Sequence, residues 1–169
     1  MGVRVERWDA EQATERAREV WRVYDDVFAD QPSEKEWKAT AFDRHCAREG
    51  FRLGAAVDGS QVIGFAYGYV GARGEYWPDR VAEALGEPLA SDWVGGHFEF
   101  VELGVIGSRR RQGIGAALHD ALMADLPSDR ALLSTDDDPD SPAARLYRSR
   151  GWERLSLLEP GVQVMGLRL

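Results

Sequence analysis

Val101-Glu102-Leu103-Gly104-Val105-Ile106-Gly107-Ser108-Arg109-Arg110-Arg111-Gln112-Gly113-Ile114-Gly115-Ala116 is the stretch whose reading decides the fold. It opens as an apolar strand and passes through a basic turn with glycines. It then enters an amphipathic helix that continues as Ala117-Leu118-His119-Asp120-Ala121-Leu122-Met123. A strand feeding a helix this way leaves several backbone N–H groups aimed at one spot, and the helix dipole adds partial positive charge there. The turn is therefore suited to a phosphate. Gly113 and Gly115 let the backbone approach an anion with no Cβ in the way, and the arginines supply forked donors.

Two common phosphate loops are excluded by spacing. A Walker loop needs Gly-Lys-Ser/Thr at its end, whereas Gly115 is followed by Ala116-Ala117. A dinucleotide fingerprint needs a third glycine where Leu118 stands. What remains is Arg110-x-x-Gly113-x-Gly115 between a strand and a helix, and this resembles the acyl-CoA pyrophosphate loop of the GNAT superfamily of N-acetyltransferases. A second stretch follows the same family's order. Asp140-Ser141-Pro142-Ala143-Ala144-Arg145-Leu146-Tyr147-Arg148-Ser149-Arg150-Gly151-Trp152 resembles its last core helix, Asn-x-Pro-Ala-x-x-Leu-Tyr-x-x-x-Gly-Phe, with Asp140 in the Asn position and Trp152 in place of Phe. Ser141 suits an N-cap, Pro142 the first helical position, and Gly151 a helix stop. The two motifs together span roughly residues 97–153.

The resemblance implies an α/β GNAT fold: a central mixed, twisted sheet of about six to seven strands flanked by about four helices, as a single domain over 1–169. It implies acetyl-CoA as co-substrate and transfer of an acetyl group to a primary amine of a small molecule or a protein, by direct attack in a ternary complex. The alternative is a non-catalytic acyl-CoA-binding regulatory module. By the same resemblance, Arg110, Arg111, Gln112, Gly113, Ile114, Gly115 and Ala116 would hold the pyrophosphate. Backbone groups of Leu103, Gly104 and Val105 would hold the pantetheine arm and thioester oxygen where the strand bulges; a glycine inside a strand often marks a bulge. Asp140 is a further candidate cofactor contact. Tyr147 matches the family's general acid for the departing thiolate, and it also suits a packed aromatic.

For the amine's proton the candidates are Glu99 and Glu102. In a regular strand these two point to opposite faces, and a bulge between them would bring both toward one cleft. A carboxylate of ordinary pKa, about 4, is a poor base for an ammonium of about 10 unless burial raises it. His97, at the strand entrance, is expected at the surface. Aromatics at Trp21, Tyr24, Trp37, Tyr76, Trp77 and Trp93, with Asp25, Asp26, Glu75 and Asp79 nearby, suit either an ammonium or a core. Asp136-Asp137-Asp138-Pro139-Asp140 is not a calcium loop, since Ser141 and Tyr147 stand where such a loop needs Gly and Glu. No metal site is expected.

Composition bounds the rest. A chain of 169 residues can bury an ample core. The net charge of −8 disfavours nucleic acid and mildly favours cationic ligands, so Arg109-Arg110-Arg111 stands out as a local anion site. The one cysteine, Cys46, and the lack of a signal-peptide pattern or long apolar run point to the cytoplasm and to no membrane partner. The expected partners are the amine acceptor and, for oligomers, a second copy in a homodimer. Periodicity predicts a first strand over 2–8, a helix over 13–28, a helix from Pro32 to about Arg48, and a hairpin over 51–70 turning at Asp58-Gly59. An insertion over 71–96 precedes the central strand 97–105. The motif helix, a strand at 131–135, the tyrosine helix and two terminal strands complete the order.

Overall fold

The structure is a computed structural model and describes residues 2–169. Seven strands take the order β1-β2-β3-β4-β5-β7-β6: β1 Arg4–Trp8, β2 Arg52–Asp58, β3 Gln61–Val70, β4 Phe98–Val105, β5 Arg130–Asp136, β6 Glu153–Glu159 and β7 Val162–Arg168. β4 and β5 run parallel, and the printed pairings of β1 with β2, β2 with β3, β5 with β7 and β6 with β7 are antiparallel. The sheet is thus mixed, as the motifs implied.

The chain divides into two compact units. One comprises the chain up to Tyr69 together with Val101–Asp125; the other comprises Val70–Phe100 and Leu126–Leu169.

In the first unit the expected N-terminal helix is divided into α1 Ala10–Glu15 and α2 Ala17–Phe28. Asp9 and Gln12 close a capping box at the start of α1. The division falls at Arg16, which leaves helical backbone (φ −104°, ψ 19°). Its guanidinium is held 4.1 Å over the Trp8 ring and pairs with Glu19 at 2.8 Å. The second expected helix is likewise divided, into α3 Glu34–Trp37, a π-helical turn at Lys38–Phe42 and α4 Asp43–Cys46. Within it, Phe42 stacks on Trp37 at 4.3 Å between centroids. Val20, Val23, Trp37, Phe42, Leu53, Phe65 and Tyr67 form one buried cluster. α7 Ile114–Met123 covers the opposite face through Leu118, which lies against Gly54 and Gly64.

The second unit holds the insertion, which folds as α5 Tyr76–Leu85 and α6 Leu89–Trp93, together with β5, β6, β7 and α8 Pro142–Ser149. Val81, Trp93, Leu132 and Val164 form its buried cluster. Ser141 caps α8 by accepting the Ala144 N–H at 3.1 Å, with Pro142 at the first turn, as read from sequence. Of the aromatics weighed for an acceptor wall, Trp37 and Trp93 are buried core, whereas Tyr76 is 79% exposed. Among the described residues no helix is long and apolar enough to cross a membrane.

Candidate functional site

The basic turn sits where β4 hands over to α7. After β4 the chain makes a 3-10 turn at Gly107–Arg109, then reaches Arg111 at φ +61° and Gly113 at φ +76°. Gly113 is the N-cap of α7, and no side chain caps that end. The first N–H groups of α7 therefore remain for a ligand, since the first intrahelical acceptor, Gly113 O, is used only by Ala117. A Cβ at Gly113 would meet nothing within 4 Å, so the space beside it is open. Glycine serves there for its positive φ and for close approach.

The three arginines divide their work. Arg109 Nη1 donates to Asp58 Oδ2 at 2.6 Å and its Nε to Gln112 Oε1 at 3.2 Å, pinning the turn to the β2–β3 hairpin. The same guanidinium holds the Asp58 carboxyl below the usual carboxylate range. Arg110 Nε reaches Val105 O at 3.4 Å, and Arg110 and Arg111 are exposed. An exposed pair of cations beside a helix end with free N–H groups fits a pyrophosphate, so the residues present suit acetyl-CoA. At the base of the turn the Gly107 N–H donates to Asp26 Oδ2 at 3.1 Å.

Along β4 the first unit shows where alternation fails. Ile106 packs against the α1–α2 cluster, and Gly104 faces Val27 and Phe28, whose carbons would lie 3.4 Å from a Cβ. Glu102 lies on this same side, its charge acting on Tyr24 and Tyr67. Val105, in turn, lies beside Leu118 at the Gly64 position. Alternation would send Val101 the way of Val105, yet Val101 packs against the α1–α2 cluster too. Gly104 has its own reason in the closeness of α2.

Glu102 sits in an unusual setting. Desolvation, with a smaller contribution from the Asp30 charge, pushes its carboxyl up to about 7. Tyr24 donates its hydroxyl to Asp30 Oδ1 at 2.8 Å, and Tyr67 shares a hydrogen bond with His45 Nδ1 at 2.8 Å. Burial first, then neighbouring negative charge, raises both phenols. Asp30, Tyr67 and His45 were not singled out for this role in the sequence. The signal available was the Phe65, Tyr67, Tyr69 alternation on β3, which reads equally well as core.

The second unit holds the other candidates. Glu99 is buried, with Oε2 3.7 Å from His97 Nε2. His97 is fully buried and not at the surface as expected; its Nδ1 accepts the Gly95 N–H at 3.0 Å, which draws the ring inward. A Cβ at Gly71 would stand 2.7 Å from Glu99 Oε2 and collide with the imidazole, so only glycine leaves room for the pair. Tyr147 on α8 is buried, edge-on to Phe100 at 5.7 Å and to Trp152 at 5.9 Å. It is therefore packed among aromatics at the end of the second unit's α8. Asp140 is exposed, near Arg145 Nη2 at 3.5 Å. A polar cavity of about 750 Å³ lies in the first unit, lined by Arg16, by Glu19, Arg22 and Asp26 of α2 and by Gln61 and Ser108 among others; of the residues weighed from sequence for the acceptor it contains Asp26.

Comparison with known proteins supplies the context. The family model described as the acetyltransferase (GNAT) family matches residues 14–152. The chain is 34% identical over 105 residues to the GCN5-like protein acetyltransferase Rv2170 of Mycobacterium tuberculosis, a match covering 58% of this chain and 51% of that protein. The chain thus spans about half the length of this curated relative. Its fold is similar to the ribosomal-protein-S18-alanine N-acetyltransferase of Escherichia coli, with TM-score 0.65, 15% identity and coverage of 99% and 94% of the two chains. It is similar also to the PaiA N-acetyltransferase of Thermoplasma acidophilum in complex with coenzyme A, with TM-score 0.62, 12% identity and full coverage of both, 100% each.

Proposed function

The chain belongs to the GNAT family of acetyltransferases, and on that premise we propose that it transfers the acetyl group of acetyl-CoA to a primary amine of a small molecule or a protein by direct attack in a ternary complex. The observation that carries this reading is the α7 N-terminus, which no side chain caps and which has the exposed Arg110 and Arg111 beside it; on β4, desolvation pushes the Glu102 carboxyl up to about 7. Moving a proton from an ammonium of pKa about 10 to an ordinary carboxylate is uphill by roughly 8 kcal/mol, and to a group near 7 by about 4 kcal/mol. Glu102 is thus a better base than an ordinary carboxylate would be.

Bound acetyl-CoA supplies an activated thioester. The α7 N–H groups from Ile114 to Ala116, with Arg110, Arg111, Gln112 and Gly113, would hold its pyrophosphate. N–H groups of Leu103 to Val105 would stabilise charge developing on the thioester oxygen. Glu102 takes a proton from the amine; the Tyr147 hydroxyl gives one to the departing sulfur. Glu99 would be a second carboxylate of the site and Asp140 a further cofactor contact. The aspartates beside α2, with the net charge of −8, favour an ammonium over a neutral acceptor. The single buried thiol, Cys46, suits a reducing compartment such as the cytoplasm.

A panel of spermidine, lysine, an amino-acid amide and short peptides with free N-termini, read by release of free thiol from acetyl-CoA, tests the reading. Turnover that is lost in Glu102→Gln while acetyl-CoA affinity is kept supports it. Tight acetyl-CoA binding with no turnover on any amine would make the protein a binding module instead.

A further inference from the structure

Glu19, Arg22 and Asp26 stand on one face of α2, with Arg16 just before its start, and all four line the polar cavity of the first unit. Helical spacing alone brings this about, since residues three and four apart share a side. Arg16 and Glu19 are committed to each other. Nε and Nη2 of Arg16 each donate to a Glu19 carboxylate oxygen at 2.8 Å, and Nη1 reaches Glu6 at 3.4 Å. Arg22 and Asp26 are placed differently. Both are exposed, and among the described residues no hydrogen bond or ion pair engages the Arg22 guanidinium. Asp26 accepts one bond, at Oδ2 from the Gly107 N–H at 3.1 Å, which leaves its Oδ1 without a partner among the described residues.

The rest of the cavity is mixed in character. Val23 and Val62 are buried and Ile106 packs against the α1–α2 cluster, so the surface between the charges is apolar. Ser60 and Gln61 at the head of β3, with Ser108 in the 3-10 turn, add exposed hydroxyl and amide groups. The volume of about 750 Å³ falls within the range of small-molecule sites. Charge decides what suits it. A simple anion at Arg22 would face the Asp26 carboxylate one helical turn on, and a simple cation at Asp26 would face the guanidinium. A ligand with both charges satisfies both. Cβ atoms four residues apart on a helix lie about 5–6 Å from each other, a gap that the carboxylate and ammonium of one α-amino acid can bridge.

We propose that this cavity is a second small-molecule site, which takes a free α-amino acid with an apolar side chain. Its carboxylate lies on Arg22, its ammonium on Asp26 and its side chain against Val23, Val62 and Ile106. The site borders the turn before α7 from two directions. Asp26 holds Gly107 and Ser108 lines the wall, while Arg109 ties the same turn to Asp58, two residues before Ser60. An amino acid that fixes Asp26 therefore steadies the turn, and a turn already ordered loses less freedom when acetyl-CoA binds. Occupancy thus raises acetyl-CoA affinity, and by linkage the effect is reciprocal.

The coupling rests on acetyl-CoA being held at the α7 N-terminus, whereas binding of the amino acid does not, so the two are measured apart. Calorimetry of the protein alone against the twenty standard amino acids should find at least one apolar member with a Kd of about 1 mM or tighter. Its N-acetyl derivative, which lacks the ammonium, and its amide, which lacks the carboxylate, should each bind about tenfold more weakly or worse. Arg22→Gln should lose the amino acid to a similar degree and keep acetyl-CoA affinity in its absence; thermal unfolding checks that this variant folds. With the amino acid saturating, acetyl-CoA should bind the wild type about three- to tenfold more tightly, and the variant unchanged. Failure of every amino acid to bind, or equal binding of the blocked derivatives, would overturn the site. Competition with acetyl-CoA would overturn it too, by making the cavity part of the cofactor's own site, and acetylation of the bound amino acid would make it the acceptor's. Binding that leaves acetyl-CoA affinity unchanged overturns the coupling alone. A protein that binds no acetyl-CoA refutes the proposed function, and the amino-acid titration still decides the site.

Discussion

Arg109 Nη1 donates to Asp58 Oδ2 at 2.6 Å, so one of the three consecutive arginines in the turn before α7 is spent on tying that turn to the β2–β3 hairpin. If the pair acts by ordering the turn, Arg109→Gln and Asp58→Asn should each weaken acetyl-CoA binding by a similar factor, about three- to tenfold. The double variant should then be no worse than either. Calorimetry on the four proteins checks this. An Arg109→Gln loss much greater than that of Asp58→Asn would mean that Arg109 touches phosphate directly. Because the Asp58 carboxyl is held down in the folded state, the pair should persist to below pH 3.8 and be lost only as pH falls through that lowered value.

Arg111 carries a positive φ of 61° on an exposed turn. Arg111→Gly relieves that conformation at some cost in unfolded-state entropy, so unliganded stability should rise by up to about 1 kcal/mol. Acetyl-CoA affinity should fall by about tenfold as a charged donor is lost. Thermal unfolding and calorimetry would thus move in opposite directions, which an effect on folding alone would not produce.

Glu102 should govern the acidic limb of the pH–rate profile. The base must be ionised to work, so the rate should fall as pH drops below about 7. Stability carries the opposite dependence. The folded state keeps this carboxyl protonated up to about 7, whereas the unfolded chain releases the proton near 4.5. Between those values the native state binds the extra proton, so stability declines as pH rises through the window. Glu102→Gln should remove that decline and exceed the wild type above pH 7 by on the order of 1–3 kcal/mol. Denaturant melts at pH 4.5 and 8 measure it.

Tyr147→Phe keeps the ring edge-on to Phe100 and Trp152 and removes only the hydroxyl. Stability should change by no more than about 1 kcal/mol. If the hydroxyl protonates the departing thiolate, transfer should fall by roughly ten- to a thousandfold, and less with an acyl donor whose thiol has a lower pKa. Full activity in the Phe variant would leave Tyr147 as packing alone.

By itself the sequence determined the fold class, the glycine turn between β4 and α7 and the helix that carries Tyr147. Each depends on residues close together in the chain: a strand, glycines at set spacing, an N-cap followed by proline, a glycine stop. Local rules of backbone and hydrogen bonding act over that range, and Ser141, Pro142 and Gly113 stand in the structure as those rules demand. Only the tertiary structure decided the rest. His97 lies buried because a backbone amide two residues away and the absent side chain of Gly71 draw its ring inward. Glu102 gains its raised proton affinity first from desolvation and then from the charge of Asp30, dozens of residues distant in sequence. Desolvation depends on what fills the space around a group, and periodicity along the chain carries no information about that filling.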